Sequence, residues 1–411
     1  MLKEVARALE NASVELIARL VALRRPYRFR RAMGACTSLD NSRTVLVARP
    51  ENLGDLVLAV PLLFAIREAM APEGKLIVVA APRFVSLLNG CPAVAETIGF
   101  DGSKGSGGRI ARLLRLLSFG WKIGGTCGIG VAIVPRWDVD DHFATAVAYV
   151  CGAETRIGYS EVSTDSRRLH NRGIDRWFTI VVRDEAPAHE LMKCMHILRG
   201  LGIDDKPVAR GLWVSDREAQ GARQAVCNAL GREPLRIVAI VPGASHPRKI
   251  WPAASFVHVG RGLISRVAAS IIVIGSPGEA SLCRQIAEDI GPSAASIVGD
   301  EDLRSLVGLI SICCLVISND TGPKHIAAAL GIPVVEVNAY PLDGDAACQS
   351  SPTRFGAWGT TEIVQPPHAL PPCQRDCTAP DAHCITRVRP ERVLAASLRL
   401  MGKSIKDRGP G

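Results

Sequence analysis

Three short segments of this chain put chemistry-bearing residues directly after β-branched runs. They are Asn52-Leu53-Gly54-Asp55, Pro242-Gly243-Ala244-Ser245 with Lys249-Ile250-Trp251-Pro252, and Asn319-Asp320-Thr321-Gly322-Pro323-Lys324-His325. Each sits where a strand should end and a helix should begin. Helix starts carry unpaired backbone N–H groups and the positive end of the helix dipole, so they favour phosphate. With Lys249 at one such start and Asp320 and His325 at another, the expected ligand is a sugar diphosphate and the expected chemistry is group transfer.

In the first segment Gly54 suits a tight turn and close ligand approach. Asp55 reads either as a helix cap or first-turn acid, or as a carboxylate offered to a ligand; Asp is a favoured cap in any case. In the second segment Gly243 lets the chain turn, Ser245 offers a hydroxyl, and Lys249 offers a point charge to phosphate. The competing reading is an exposed basic loop containing His246 and Arg248. Trp251 as an anchor and Pro252 at a helix start argue against it. In the third segment Thr321 and Gly322 direct amides at phosphate, Asp320 could accept from sugar hydroxyls, and His325 could donate from the first helical turn. A fourth cluster, Cys373, Cys377 and Cys384 with His383, could be a zinc site or a disulfide pair. Its spacing does not follow the two-pair zinc pattern, and a structural C-terminal loop without metal is the favoured reading.

The elements that must hold these residues alternate in βαβ order. Thr44–Ala48, Leu76–Ala80, Val94–Phe100 and Gly130–Pro135 read as strands, with helices from Asp55, over Ile110–Leu117 and over Phe143–Cys151. A helical stretch, His189–Leu201, leads to Gly202 and the polar Asp204-Asp205-Lys206-Pro207. The pattern then restarts. Strands are expected at Arg236–Val241, Ala269–Ile274, near Ile297, at Leu315–Ser318 and at Val334–Val337. Helices are expected over Asp216–Leu230 and Leu303–Ile312, and from Pro252, Gly278 and Gly322. The expected fold is α/β: two Rossmann-like, doubly wound parallel-sheet domains facing across a cleft, with ligands at the carboxyl ends of the strands. The expected division is a basic N-terminal extension at 1–42, one domain at 43–204, a second at 205–365, and a Cys-containing tail with a C-terminal helix at 366–411.

At 411 residues, two domains are the natural expectation. The net charge of +9 suits anionic partners. Nucleic acid is not among those expected, because only 5% of residues are aromatic and no basic stretch is interleaved with stacking side chains. Most of the 13 cysteines lie in apolar runs and read as buried and reduced. No signal peptide and no membrane-spanning run is visible, which leads to the expectation of a cytoplasmic protein. Within residues 1–31, Leu2, Val5, Leu9, Leu16, Leu20 and Leu23 recur at helical spacing beside eight basic and three acidic residues. That segment reads either as a helix on the membrane surface or as a solvated or core-packed extension.

Taken in order, the motifs resemble glycosyltransferase family nine, the heptosyltransferases that add heptose from ADP-heptose to the lipopolysaccharide inner core. The resemblance rests on Asn52–Asp55 with Pro61 following, Arg156-Ile157-Gly158-Tyr159, Pro242–Ser245 with Lys249–Pro252, Gly299 before Leu303, and Asp320–His325. It runs from about Arg43 to Val393.

The resemblance implies a GT-B fold, with the acceptor on the N-terminal domain, the nucleotide sugar on the C-terminal domain, and the C-terminal helix Pro390–Met401 crossing back to the first. It implies an inverting, metal-independent transfer with Asp55 as general base and no cofactor beyond the nucleotide-sugar substrate. Lys249, Ser245 and the amides of Thr321 and Gly322 would stabilise the departing diphosphate. Asn52, Gly54, Asp320, Pro323 and His325 would help hold the substrates, and Glu279 would bind the ribose. An ordinary exposed Asp, with a pKa of about 3.9, is a weak base and suffices only if proton transfer is late. The implied partners are the nucleotide sugar, a glycolipid or lipopolysaccharide acceptor, and the cytoplasmic surface of the inner membrane through residues 1–31. The chain departs from the usual pattern at Asn338-Ala339-Tyr340-Pro341, where a glycine-containing turn normally borders the nucleotide, and in its N-terminal extension.

Two other classes compete. A dinucleotide-dependent dehydrogenase needs a Gly-x-Gly-x-x-Gly turn, which neither Asn52–Asp55 nor Pro242–Ser245 supplies. A transferase of the same fold with another sugar donor, or a non-catalytic sugar-nucleotide or glycolipid binder, stays open, although Asp55 and Lys249 are both present.

Overall fold

A computed structural model describes residues 2–23, 39, 44–103, 108–124, 128–206, 211–299, 302–348, 350–373 and 379–407. The basic run Arg24–Arg31 and Cys377 lie outside the described residues. The chain divides into two compact units, Met1–Arg210 and Gly211–Gly411. This boundary falls six residues beyond the one expected from sequence, after the polar stretch rather than within it.

The first unit begins with helix α1 (Leu2–Leu23) and continues β1 (Thr44–Arg49), α2 (Leu53–Leu58), α3 (Val60–Ala69), β2 (Lys75–Ala80), β3 (Glu96–Gly99), α4 (Gly108–Gly124), β4 (Val131–Val134), α5 (Ala144–Val150), β5 (Thr155–Tyr159), α6 (Asp165–His170), β6 (Ile180–Val182) and α7 (Glu190–His196). Its six strands lie in the order β3-β2-β1-β4-β5-β6, and every pairing is parallel. Strands β1 and β4 are buried along their whole length, as sheets covered on both faces require. Leu46, Ala48, Ile77, Val79, Ala132 and Val134 share one core cluster with Leu116, Phe119 and Val147 from α4 and α5.

Helix α1 joins that cluster. Val14, Ile17 and Val21 are buried in it, and Arg112 of α4 pairs with Glu10. The extension is therefore packed into the first unit along one side, at roughly 1.5–3 kcal/mol for each fully buried side chain. Its Leu9, Leu16 and Leu20 stay exposed. The continuous helix expected over His189–Leu201 is α7 followed by a tighter 3₁₀ turn, Ile197–Leu201, closed by Gly202 in the left-handed region at φ 70°.

The second unit runs α8 (Asp216–Leu230), β7 (Ile237–Val241), α9 (Ala253–Val267), β8 (Ser270–Gly275), α10 (Ala280–Ile290), β9 (Ala294–Val298), α11 (Leu303–Ser311), β10 (Leu315–Asn319), α12 (Gly322–Ala329), β11 (Val334–Val337), α13 (Pro352–Phe355), β12 (Thr361–Val364) and α14 (Pro390–Asp407). Its parallel strands are ordered β12-β11-β10-β7-β8-β9. Helix α14 packs on α9 and over β10, β11 and β12, burying Val393, Ala396 and Leu400 in the same core as Ile240, Val273 and Val335. Residues 366–411 cluster with the second unit, where the apolar stripe of α14 is packed.

Both sheets reverse strand order at one place, between β1 and β4 in the first unit and between β7 and β10 in the second. The carboxyl ends of strands at such a reversal form the crevice where open α/β sheets take ligands. All three sequence-predicted segments begin there. β1 leads to Asn52–Asp55, β7 to Pro242–Lys249, and β10 to Asp320–His325.

Candidate active site

In the first unit, β1 ends in Arg49, and β4 is followed two residues later by Arg136. Both guanidinium groups reach Asp55. Arg136 Nη1 donates to Asp55 Oδ1 at 3.1 Å, and Arg49 Nη2 lies 3.4 Å from the same oxygen. The other carboxylate oxygen accepts from the Asn52 backbone N–H and from Asn52 Nδ2, each at 3.3 Å. Asp55 therefore does close the start of α2, as the cap reading expected. It is also the centre of a buried charge cluster, which that reading did not contain. Arg49 Nη2 also donates to Glu190 at 2.8 Å, Arg136 Nη1 lies 3.8 Å from Glu190, and Arg49 Nη1 lies 3.7 Å from Glu51.

Asp55 is only 5% exposed, so the ordinary exposed aspartate of the sequence reading is corrected. Burial alone would raise its pKa. Arg136, Arg49 and the two Asn52 donors outweigh burial and hold the carboxyl below its usual range. Glu51 goes the other way. Its burial dominates, Arg49 and Arg136 offset it incompletely, and the neighbouring Asp55 adds repulsion, so its pKa rises to about 7. Two acids four residues apart are thus separated by environment into one ionised group and one near its titration midpoint at neutral pH. The Cys194 thiol, also buried here, is pushed up to about 12 and is neutral. Gly54 lies inside the first turn of α2 with no left-handed backbone angle, so it forms part of a helix rather than the tight turn expected.

In the second unit, Lys249 and Asp320 meet although 71 residues separate them. Lys249 Nζ donates to Asp320 Oδ2 at 2.6 Å. Lys324, in the first turn of α12, donates to Asp320 Oδ1 at 2.5 Å and to Glu336 Oε1 at 2.7 Å. Burial opposes ionisation of Asp320, but the two lysines hold its carboxyl far below the usual range. Burial likewise opposes the charge on Lys324, and Asp320 with Glu336 raises its pKa above the ordinary value. Glu336 also accepts from Asn338 Nδ2 at 2.6 Å and from the Ala357 N–H at 2.9 Å. Both oxygens of Asp320 thus hold lysines. This arrangement fixes Lys249.

The loop carrying Lys249 is anchored from behind. The Trp251 backbone N–H donates to Asn319 Oδ1 at 3.3 Å, Asn319 Nδ2 donates to the Pro242 carbonyl at 2.6 Å, and Trp251 Nε1 donates to the Val388 carbonyl at 3.0 Å. Trp251 is the anchor that the sequence suggested. Gly243 has a specific reason to be glycine, since a Cβ there would stand 1.6 Å from Glu279 Oε1. Glu279 also accepts from the Ser276 N–H and hydroxyl, each at 2.8 Å, which fixes it beside the β7 crevice. Ser245 is exposed on the same loop. Thr321 caps α12 with extended backbone and makes no side-chain cap bond; Gly322 and Pro323 open the helix, so Gly322 supplies an amide there and Pro323 does not. His325, in the first turn, is buried. After β11, Asn338 Oδ1 accepts from the Tyr340 N–H at 2.8 Å and shapes the turn there.

Arg136, Glu190, Glu51, Lys324, Glu336 and Asn319 belong to these networks, and the sequence assigned none of them a role. Lys324 was accessible as the i+4 neighbour of Asp320 on a helix start. Arg136 stands just past a fully apolar four-residue run, where a charge marks the mouth of a parallel sheet.

A sequence profile for glycosyltransferase family 9 (heptosyltransferase) matches residues 137–361. Lipopolysaccharide heptosyltransferase 2 of Salmonella typhimurium is 23% identical over 308 residues, spanning 71% of this chain and 81% of that protein. Lipooligosaccharide heptosyltransferase 2 of Haemophilus ducreyi is 31% identical over 144 residues, spanning 33% and 41%. Among solved structures, a family 9 glycosyl transferase from Veillonella parvula superposes with a TM-score of 0.70 at 19% identity, covering 89% of this chain and 99% of that one. ADP-heptose lipopolysaccharide heptosyltransferase II of Escherichia coli gives 0.63 at 21% identity, covering 88% and 99%. Two doubly wound parallel-sheet units, each with a charged site at its strand-order reversal, give this protein the GT-B fold. The chain belongs to glycosyltransferase family 9, the heptosyltransferases.

Proposed function

We propose that this enzyme transfers a heptose from ADP-heptose to an acceptor of the lipopolysaccharide core, with inversion at the anomeric carbon. The observation that carries the reading is the Lys249–Asp320–Lys324 chain at the carboxyl ends of β7 and β10, which presents a fixed cation beside a helix start. The second unit would bind the donor and the first the acceptor. The acceptor oxygen forms its bond to the anomeric carbon while that carbon's bond to the diphosphate oxygen breaks. The leaving electron pair departs with ADP, and the acceptor proton passes to Asp55. Lys249, the Ser245 hydroxyl and the amides of Thr321 and Gly322 receive the diphosphate charge, a stabilisation that needs no metal ion. Glu279 would meet the ribose, Pro323 and His325 would shape the donor pocket around α12, and Asn52 and Gly54 would hold the acceptor side beside Asp55.

The low pKa of Asp55 is compatible with this role if the proton moves late, when the attacking oxygen is already bonded and acidic. Partial neutralisation by Arg49 and Arg136 keeps the carboxylate ionised and aimed until then. Among the described residues no helix is long and apolar enough to cross a membrane. We place the enzyme at the cytoplasmic membrane surface. Exposed Leu9, Leu16 and Leu20 on α1, with exposed Ile110, Leu114 and Trp121 on α4, support peripheral contact there.

The donor is tested by calorimetric titration of the intact protein with ADP, UDP and GDP. Preferential ADP binding that tightens with ADP-heptose is the expected result. A preference for UDP or GDP would replace the donor while leaving the transferase assignment in place.

A further inference from the structure

Between β12 and α14 the second unit carries a segment whose regular structure, among the described residues, is one 3₁₀ turn, Cys384–Arg387. Its interior is a small cluster of its own, formed by Cys373, Cys384 and Ala379 with Ala369 and Leu370 packed against it. Cys373 and Cys384 are 5% and 2% exposed, and neither is in a disulfide. His383 Nδ1 lies 3.7 Å from Cys373 Sγ and 3.5 Å from Cys384 Sγ, and all three atoms fall within 4.8 Å of one another.

Those separations match a tetrahedral metal site. With metal–sulfur and metal–nitrogen bonds of about 2.3 and 2.0–2.1 Å, the sulfur–nitrogen edge of a tetrahedron is about 3.6 Å. Two thiols and an imidazole are the ligand set that transition metals of borderline softness select. The Leu370 N–H donates to Cys384 Sγ at 3.4 Å, the kind of outer contact that steadies a thiolate.

We propose that Cys373, His383 and Cys384 bind one transition-metal ion, zinc or iron, as a structural staple. Binding releases the two thiol protons and leaves the imidazole neutral, with one tetrahedral position for a further ligand. The staple acts on the donor side of the enzyme. Ile385 and Val388, directly after the cluster, are buried in the main core, and the Val388 carbonyl holds Trp251 Nε1 behind the Lys249 loop.

The test is elemental analysis of the full-length protein, purified without chelator or immobilised metal. It should contain close to one equivalent of zinc or iron per chain, with visible thiolate-to-iron absorption marking the iron case. Metal-stripped, reduced protein given Co²⁺ should develop intense tetrahedral ligand-field bands. Cys373→Ser, Cys384→Ser and His383→Gln should weaken or abolish these bands, and Cys348→Ser should not. Stripping should also lower Tm. Metal-poor protein that gives no Co²⁺ bands would overturn the proposal, since a thiol–imidazole hydrogen bond then accounts for the distances. So would bands that survive all three substitutions, or a Tm unchanged by stripping. If the serine variants do not fold, metal content and Co²⁺ spectra of the wild-type protein still decide the matter. None of these readouts uses transferase activity, so failure here leaves the donor assignment standing on its own titration.

Discussion

Lys249 and Asp320 form a 2.6 Å ion pair between the loop after β7 and the loop after β10, and Lys324 holds the other oxygen of the same carboxylate. The pair fixes a mobile four-carbon side chain in one place. A phosphate-binding lysine held this way loses less freedom when ligand arrives.

Replacing Asp320 with Asn should therefore act twice. It should weaken ADP binding about tenfold or more, since Lys249 loses its orienting charge. It should also lower stability by about 3–5 kcal/mol, because Lys324 keeps its buried charge with Glu336 alone. Calorimetry and chemical unfolding read the two effects separately. Lys249→Ala, a more exposed change, should weaken ADP binding with little loss of stability. Equal stability losses in both variants would contradict the separation of roles.

Glu51 gives a pH signature. Its pKa is raised from 4.5 to about 7 in the folded protein, so the folded state holds its proton after the unfolded state has released it. Below pH 4.5 both states are protonated and this site imposes no penalty. As pH rises from 4.5 to 7 the unfolded state is favoured, so stability from this site falls. Glu51→Gln removes the titration and should gain stability over wild type across that window, measured as the difference between unfolding free energies at each pH. A difference that is flat with pH would show that Glu51 is not held protonated. Asp55 has the opposite sign. Its stabilisation is present above its unfolded pKa and is lost as pH falls through the lowered folded value.

The packing of α1 changes how its surface must be tested. Deleting residues 1–31 would remove Val14, Ile17 and Val21 from the core of the first unit, so vesicle binding would be confounded with unfolding. Ile17→Ala should cost about 2–5 kcal/mol in chemical unfolding. Leu16→Asp and Leu114→Asp lie on exposed faces and should leave stability within about 0.5 kcal/mol. They should reduce sedimentation with anionic vesicles. Unchanged sedimentation would remove the peripheral-membrane proposal.

The strands that carry the site were legible because they are β-branched runs ending in glycine, proline or charge. Val334–Val337 came out with its bounds intact, and Leu315–Ser318 missed only the terminal Asn319. Strands β5, β6 and β12 were not legible as strands. They are three to five residues long, β5 and β12 are mixed in polarity and β6 has only three residues, and they are held by register with a neighbour rather than by their own pattern. The first residues of each site could be read from the chain because a helix start has a local signature. Their partners could not. Arg136 reaches Asp55 across 81 positions and Glu190 reaches Arg49 across 141, and only the strand order brings them together. Burial of Asp55 and His325 was hidden for the same reason.

Inverting heptose transfer with Asp55 as base is tested by incubating the enzyme with ADP-heptose and a lipopolysaccharide core that lacks the heptose. ADP release and the anomeric configuration of the product are followed together, for wild type and for Asp55→Asn. ADP should appear in step with a heptosylated core of inverted configuration. Asp55→Asn should bind ADP normally while turning over roughly 10²–10⁴-fold more slowly. Retained configuration, ADP release without a heptosylated product, or near-normal turnover by Asp55→Asn would contradict the account.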